Sequence, residues 1–188
     1  METNNIKELI IQLAVDSTNP VISLQLAVEY ERIGQTASAV SFYLRAAEYG
    51  YYSHGEHVYA ALLQASNCFE NQTGREHTVL NLIEKAIAYS PNRPEGWFFL
   101  SRYHERRQHW QTSYTSAEVG ISRLPSNFIP LPIDIGYPGF FCLFFEKAVS
   151  AWWVGRKEES KVLFYDLLDN CEMPEEYING CLNNLRLF

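Results

Sequence analysis

Four positions of this chain repeat at intervals that hold constant along three independent series. Gly34, Gly74, Gln108 and Gly155 are separated by 40, 34 and 47 residues. The same intervals separate Tyr43, Ile83, Ala117 and Phe164, and again Ala46, Ala86, Gly120 and Leu167. Self-similarity of this kind marks repeated supersecondary units, none of which buries its apolar face alone. The register never slips between a turn and the segment after it. Surplus residues therefore fall between units, at 50–55 and 122–139, where Gly, Pro, Ser and Tyr are abundant.

Within each unit the apolar period is helical. Ile6, Leu9, Ile10, Leu13 and Ala14 predict a first helix over 4–15, an unpaired half unit capping the start. Pro20 opens a second helix carrying Leu24, Ala27, Val28 and Tyr30, and Gly34 suits its C-terminus. A third follows over 36–49 with Ala39, Val40, Tyr43, Leu44 and Ala47. Helices this long, joined by two or three residues, must pack antiparallel. Small residues (Ala27, Ala46, Ala86, Gly120) mark close crossings, and Tyr30, Tyr43, Trp97, Leu100 and Phe164 fill the remaining space. Met173-Pro-Glu-Glu begins a closing helix that runs to Leu187, its acids suited to a helix N-terminus. The expectation is one all-α domain over 1–188, with units near 20–50, 57–91, 94–125 and 140–170. The insertion at 122–139 carries Pro125, Pro130, Pro132 and Pro138. It also carries Phe128, Ile129, Leu131, Ile133 and Ile135, which predict a segment packed on the helices. A flexible joint between two subdomains is the alternative.

Charge narrows the function classes. The net charge is -7, and the only dense basic run, Arg102 to Arg107, is interrupted by Glu105. A surface that tracks phosphates needs clustered Lys and Arg, so nucleic acid is not expected as a partner. The apolar run at 140–145 ends at Glu146, too short to span a bilayer, so membrane insertion is not expected. Cys68, Cys142, Cys171 and Cys181 form no CxxC pair. The start, Met-Glu-Thr-Asn-Asn, lacks the basic and apolar regions of a secretory signal. Reduced thiols and a cytoplasmic location are the expectation.

The aligned units resemble the tetratricopeptide repeat, whose period is 34 residues. The copy at 94–125 places Trp97, Leu100, Trp110 and Pro125 where that repeat favours them. The first copy supplies Leu26-Ala27, Tyr30, Gly34, Ala39, Tyr43 and Ala46. Departures are an extra residue before Gly74, Gln108 in place of glycine and Ser113 in place of alanine. The resemblance implies a tetratricopeptide-like α-solenoid of about four helix-turn-helix units with N- and C-terminal capping helices. A narrower resemblance rests on four runs: Ala65-Ser-Asn-Cys-Phe, Glu84-Lys-Ala-Ile-Ala-Tyr-Ser-Pro-Asn-Arg-Pro-Glu, Ala151-Trp-Trp-Val-Gly-Arg-Lys-Glu-Glu-Ser, and Met173-Pro-Glu-Glu-Tyr-Ile. These are similar to repeats appended to family 2 glycosyltransferases. That resemblance implies a link to glycan assembly without transferring an activity, because the catalytic domain of those enzymes is missing here.

Catalytic and metal-binding patterns are thin. No Asp-x-Asp arrangement is present; Asp134 stands alone, and Asp166 and Asp169 read as solvated helix-face acids. His54 and His57 suit a turn into a helix, and His104 and His109 flank another turn. No Ser or Cys sits in a Gly-rich elbow, and Cys68 reads as a small core hydrophobe. No enzyme activity, metal or cofactor is therefore expected. The repeat resemblance implies that the first helix of each unit lines an inner face. Its positions would be Leu24, Gln25, Val28 and Arg32, then Leu63, Gln64, Asn67 and Asn71. In the later units they would be Phe98, Phe99, Arg102 and Arg106, then Phe145, Glu146, Val149 and Trp153. This mixture of aromatic, amide and charged groups suits a peptide or helix held by a few anchors. Against it stands burial of Phe98, Phe99 and Trp153 within the protein itself. The leading expectation is a protein-interaction scaffold. The alternatives are an accessory module of a glycosyltransferase and, less favoured, a glycosyltransferase itself. Self-association is open too, since exposed apolar surface on repeats invites pairing.

Overall fold

A computed structural model describes residues 2–188 apart from 71, 126 and 128, with side chains described from residue 5 onward. Among the described residues there are ten helices and no strand. They are α1 (Glu2–Val15), α2 (Pro20–Arg32), α3 (Thr36–Gly50), α4 (Gly55–Glu70) and α5 (Glu76–Tyr89). The chain continues with α6 (Pro94–Glu105), α7 (Trp110–Ser122), α8 (Phe141–Trp153), α9 (Lys157–Asn170) and α10 (Glu175–Leu185).

The helix ends follow from local chemistry. Asn19 caps α2 by accepting from the Val21 and Ile22 amides at 3.0 and 3.1 Å, and Pro20 occupies the first helical position. Pro94 opens α6 in the same way, after Arg93 in an extended conformation. At the far end of α2 the Gln35 amide reaches the Tyr30 carbonyl at 2.8 Å, closing a Schellman turn through Gly34. His109 to His104 and Arg156 to Ala151, both 2.9 Å, close two more. All four register positions take positive φ: Gly34 at 74°, Gly74 at 77°, Gln108 at 58° and Gly155 at 84°. Gln108 thus holds the glycine conformation with a side chain attached. Gln108→Gly is expected to raise stability by about 1 kcal/mol, since a left-handed residue with a Cβ costs about that much. The melting temperature should rise roughly 2–4 °C for a chain of this size. An unchanged or lower value would mean that the Gln108 side chain makes a compensating contact.

The chain resolves into two compact units. The first comprises 1–90 and 128–135, and the second 91–127 and 136–188. In the first, each of α1 to α4 packs on the helix that follows it. Its core holds Leu24, Leu26, Ala27, Tyr43, Ala46, Tyr59, Leu63 and Ala86. Ile6, Leu9 and Leu13 of α1 join Leu26, so the first helix seals that end of the apolar core. Ile135 of the insertion is buried and Leu131 and Ile133 are half-buried, whereas Ile129 is exposed. Phe128 lies outside the described residues.

In the second unit each of α6 to α9 packs on its successor, and α6 also meets α8. Phe98, Tyr114, Ala117, Leu143, Ala151 and Phe164 form its core. A ladder of buried hydroxyls joins the first three helices of this unit. Ser101 Oγ donates to the Ser113 carbonyl at 3.0 Å, and Ser113 Oγ lies 2.7 Å from Ser150 Oγ. Ser113, the departure from alanine, is therefore paired and not an orphaned polar group.

Candidate functional site

In the first unit the expected inner-face residues are largely engaged with one another. Gln64 donates to Glu31 Oε1 at 2.8 Å, and Tyr43 donates to Glu31 Oε2 at 2.5 Å. Asn67 donates to Gln64 at 3.0 Å and to the Ile135 carbonyl at 3.1 Å, so the insertion is tied to α4 through its backbone. Leu24 and Leu63 are buried. Gln25 is exposed, and Arg32 is exposed beside Glu29 at 2.7 Å. Asn71 lies outside the described residues. Burial comes first in raising the Cys68 thiol to about 12, with Glu31 adding to it, and this keeps the group neutral.

The second unit differs. Phe98 and Phe99 are both buried, Phe98 edge-on to Phe99 and to Tyr137. Their rings support the surface and do not present to solvent. Arg102 lies over the Phe98 ring, 5.2 Å from its centroid, and Arg106 is exposed at the end of α6. Trp153 is 58% exposed and stacks on Trp110 with centroids 5.0 Å apart.

Between α6, α8 and α10 lies a solvent-open recess of about 420 Å³. Four expected inner-face residues meet there: Arg102, Phe145, Glu146 and Val149. Glu105, Glu176, Tyr177, Gly136 and Pro138 complete the wall. Sequence reasoning missed the last four because α10 and the end of the insertion were treated as closing and packing elements, and it read Glu105 of α6 only as an interruption of the basic run. Tyr177 had a usable signal, as the large apolar residue in the first turn of a helix that must pack on α8. Phe145 and Tyr177 sit edge to face at 5.1 Å.

Glu146 sets the electrostatics of the recess. It is only 6% exposed. Its nearest cation is Arg102 Nε at 4.0 Å, beyond hydrogen-bond reach, and among the described residues no donor bonds to its carboxylate. Burial pushes its carboxyl up to about 8; Arg102 and Arg106 pull it down, and Glu105 pushes it further up. Burial likewise raises Tyr177, to about 12.

Two other clusters are smaller. His104 and His109, which the sequence separates by a turn, bring their Nδ1 atoms within 3.4 Å, and burial lowers His104. His54 pairs its Nδ1 with Ser53 Oγ at 2.8 Å in the turn before α4. Among the described residues no three His, Cys, Asp or Glu side chains are grouped to hold a metal ion. None of the described helices is long and apolar enough to cross a membrane. In the first unit, Leu44, Tyr51, Leu62, Lys85 and Tyr89 border an apolar depression among α3, α4 and α5 that the register did not single out.

The paired helices, repeated left-handed turns and small residues at crossings define a tetratricopeptide-like helical repeat fold. Solved structures agree. MamA superposes with a TM-score of 0.65 at 17% identity, over 87% of this chain and 85% of its own. PilF of Pseudomonas aeruginosa gives a TM-score of 0.67 at 13% identity, over 94% and 72%. YrrB, a TPR protein described as having an unusual peptide-binding site, gives 0.59 at 12% identity, over 89% and 78%. At these identities the likeness is one of fold. No family model matches the sequence, and no curated protein matches it.

Proposed function

We propose that this chain is a non-catalytic scaffold that binds a protein or peptide partner on the first helices of its units. The observation that carries the reading is the recess of the second unit. Arg102 and Glu146 share it, and among the described residues neither side chain makes a hydrogen bond there. A half-exposed guanidinium and a buried carboxyl beside aromatic walls suit an extended or helical ligand. The peptide-binding site ascribed to YrrB, a protein of like fold, supports the same direction. In the second unit the partner-facing residues are Arg102, Arg106, Glu146 and Trp153. Gln25 and Arg32 serve in the first unit, with Gln64 and Asn67 fixing its surface. A cytoplasmic location goes with this reading.

Arg102→Ala combined with Trp153→Ala should reduce capture of the native partner at least roughly tenfold, the loss expected when anchors of about 1–2 kcal/mol each are removed. Quantitative mass spectrometry of pull-downs from the host reads the loss. Helical content should stay unchanged and the melting temperature should fall by only a few degrees, because Trp153 is mostly exposed and Arg102 partly so, and each gives up a surface ring contact and not core packing. Undiminished capture would sink the reading.

A second reading, an accessory role beside a glycosyltransferase, rests on the four runs named above. In the fold, Asn92-Arg-Pro-Glu starts α6, with Arg93 2.6 Å from Glu95, and the Trp-Trp-Val-Gly-Arg run makes the α8–α9 turn. Those residues thus have structural work, which weakens them as a functional signature. A glycosyltransferase encoded alongside or co-purifying would favour this reading, and neither being found would end it. Self-pairing is the competing occupant of exposed surface such as Ile11 and Val15, and light scattering across a concentration series decides it.

A further inference from the structure

We propose that the recess between α6, α8 and α10 is a socket for a basic side chain, lysine or arginine, presented by the bound partner. The proposal deepens the scaffold reading and rests on it. Glu146 is buried, faces the recess and, among the described residues, receives no hydrogen bond. A buried carboxylate in that state is costly until N–H donors reach it. Arg102 does not meet the need, because its Nε stands 4.0 Å away and its guanidinium lies over the Phe98 ring.

The sign of the ligand follows from the wall. Glu105 and Glu176 already outnumber Arg102 around the opening, and Glu146 adds to them once it ionises, so an anion would enter against net repulsion. Phe145 and Tyr177 add π faces that attract cations. An ammonium or guanidinium entering here gives Glu146 its missing donors and offsets the excess acid. Binding of a cation also favours the ionised carboxylate, so it releases a proton from a group whose carboxyl burial has raised. The groups that act on that carboxyl are Arg102, Glu105 and Arg106, while Cys142 and Tyr177 respond to its charge.

The test is a titration of the full chain, carrying ¹³C-labelled Phe and Tyr rings, followed by nuclear magnetic resonance. The probes are blocked alanine pentapeptides whose central residue is lysine, arginine, norleucine or glutamate, with 1,4-diaminobutane as a free amine. Lysine and arginine peptides should shift the Phe145 and Tyr177 rings, and norleucine and glutamate should not. Their affinity should tighten roughly twentyfold from pH 6.5 to 8.5, as the competent ionised fraction grows. Glu146→Gln should abolish the shifts, and Glu176→Gln, at an exposed position, should weaken them without touching the fold. Equal shifts from the glutamate peptide, or none from any peptide, overturn the socket. Shifts from diaminobutane alone overturn the partner-borne source. Partner capture that survives Glu146→Gln but fails in the Arg102→Ala, Trp153→Ala variant sinks the socket and leaves the scaffold standing.

Discussion

Glu146→Gln should make the protein more resistant to alkaline conditions, and the gain should grow with pH. In the folded chain the Glu146 carboxyl is raised from its ordinary value of 4.5 to about 8. Between those values the folded state keeps a proton that the unfolded state has lost. Stability therefore falls as pH rises across this window, by about 1.4 kcal/mol per pH unit at most. The direction is opposite to that of a carboxylate held by a salt bridge, whose contribution is lost as pH falls. Near pH 5 the neutral acid and the amide should be nearly equivalent. By pH 9 the variant should lead by several kcal/mol, on the order of 3–5. Urea melts of both proteins at pH 5, 7 and 9 measure it. The difference between the curves isolates Glu146 from histidines and thiols that titrate in both. Parallel curves would mean that the carboxylate is solvated or fully compensated by Arg102.

Gly120 gives the second large effect. Ala46 and Ala86 occupy its register position in earlier units, so a methyl group there is the expected state. In this unit a Cβ would stand 2.7 Å from Trp97 Cβ and 2.8 Å from Leu143 Cδ2. Trp97 Cβ is anchored to its backbone and cannot rotate away. Gly120→Ala gains about 1 kcal/mol of helix propensity. Overpacking of this kind costs about 1–3 kcal/mol, so a net loss is expected despite that gain. Gly120→Val should cost more than 3 kcal/mol, since it adds branched bulk against the same two neighbours. Thermal or urea unfolding reads both. The contact with Leu143 has its own signature. Leu143→Ala should cost at least 1 kcal/mol less in the Gly120→Ala background than alone, a coupling typical of residues in contact. Strict additivity would show that the helices shift apart instead.

The fold was legible because its strongest signal is covalent spacing. Each turn position fixes where a left-handed residue must sit, and the interval to the next small residue fixes the crossing. Even Gln108, which hides the glycine, was placed by its interval and takes the same conformation. The site was less legible. Spacing told which first-helix residues share a face, so Arg102, Phe145, Glu146 and Val149 were named together, and they do meet in one recess. It could not tell which of that face is covered. Phe98 is sealed by Phe99 and Tyr137, and Asn67 is bound to the Ile135 carbonyl. Those contacts come from the insertion or from within one helix, outside the repeat grammar. Nor did periodicity foresee Tyr177 and Glu176, whose helix has no counterpart in the units before it.

That insertion also decides the order in which the molecule can be completed. Its residues 128–135 belong to the compact unit built from 1–90, although 91–127 of the other unit lie between them in the chain. The two units are interleaved and not consecutive. On the ribosome, α1 to α5 emerge first, yet the carbonyl of Ile135 that Asn67 binds is synthesised 68 residues after it. At synthesis rates of about 5–20 residues per second, the early unit waits several seconds with that surface of α4 uncovered. A cut after residue 90 would make the wait permanent. A fragment that is to keep the native N-terminal unit must extend through residue 135.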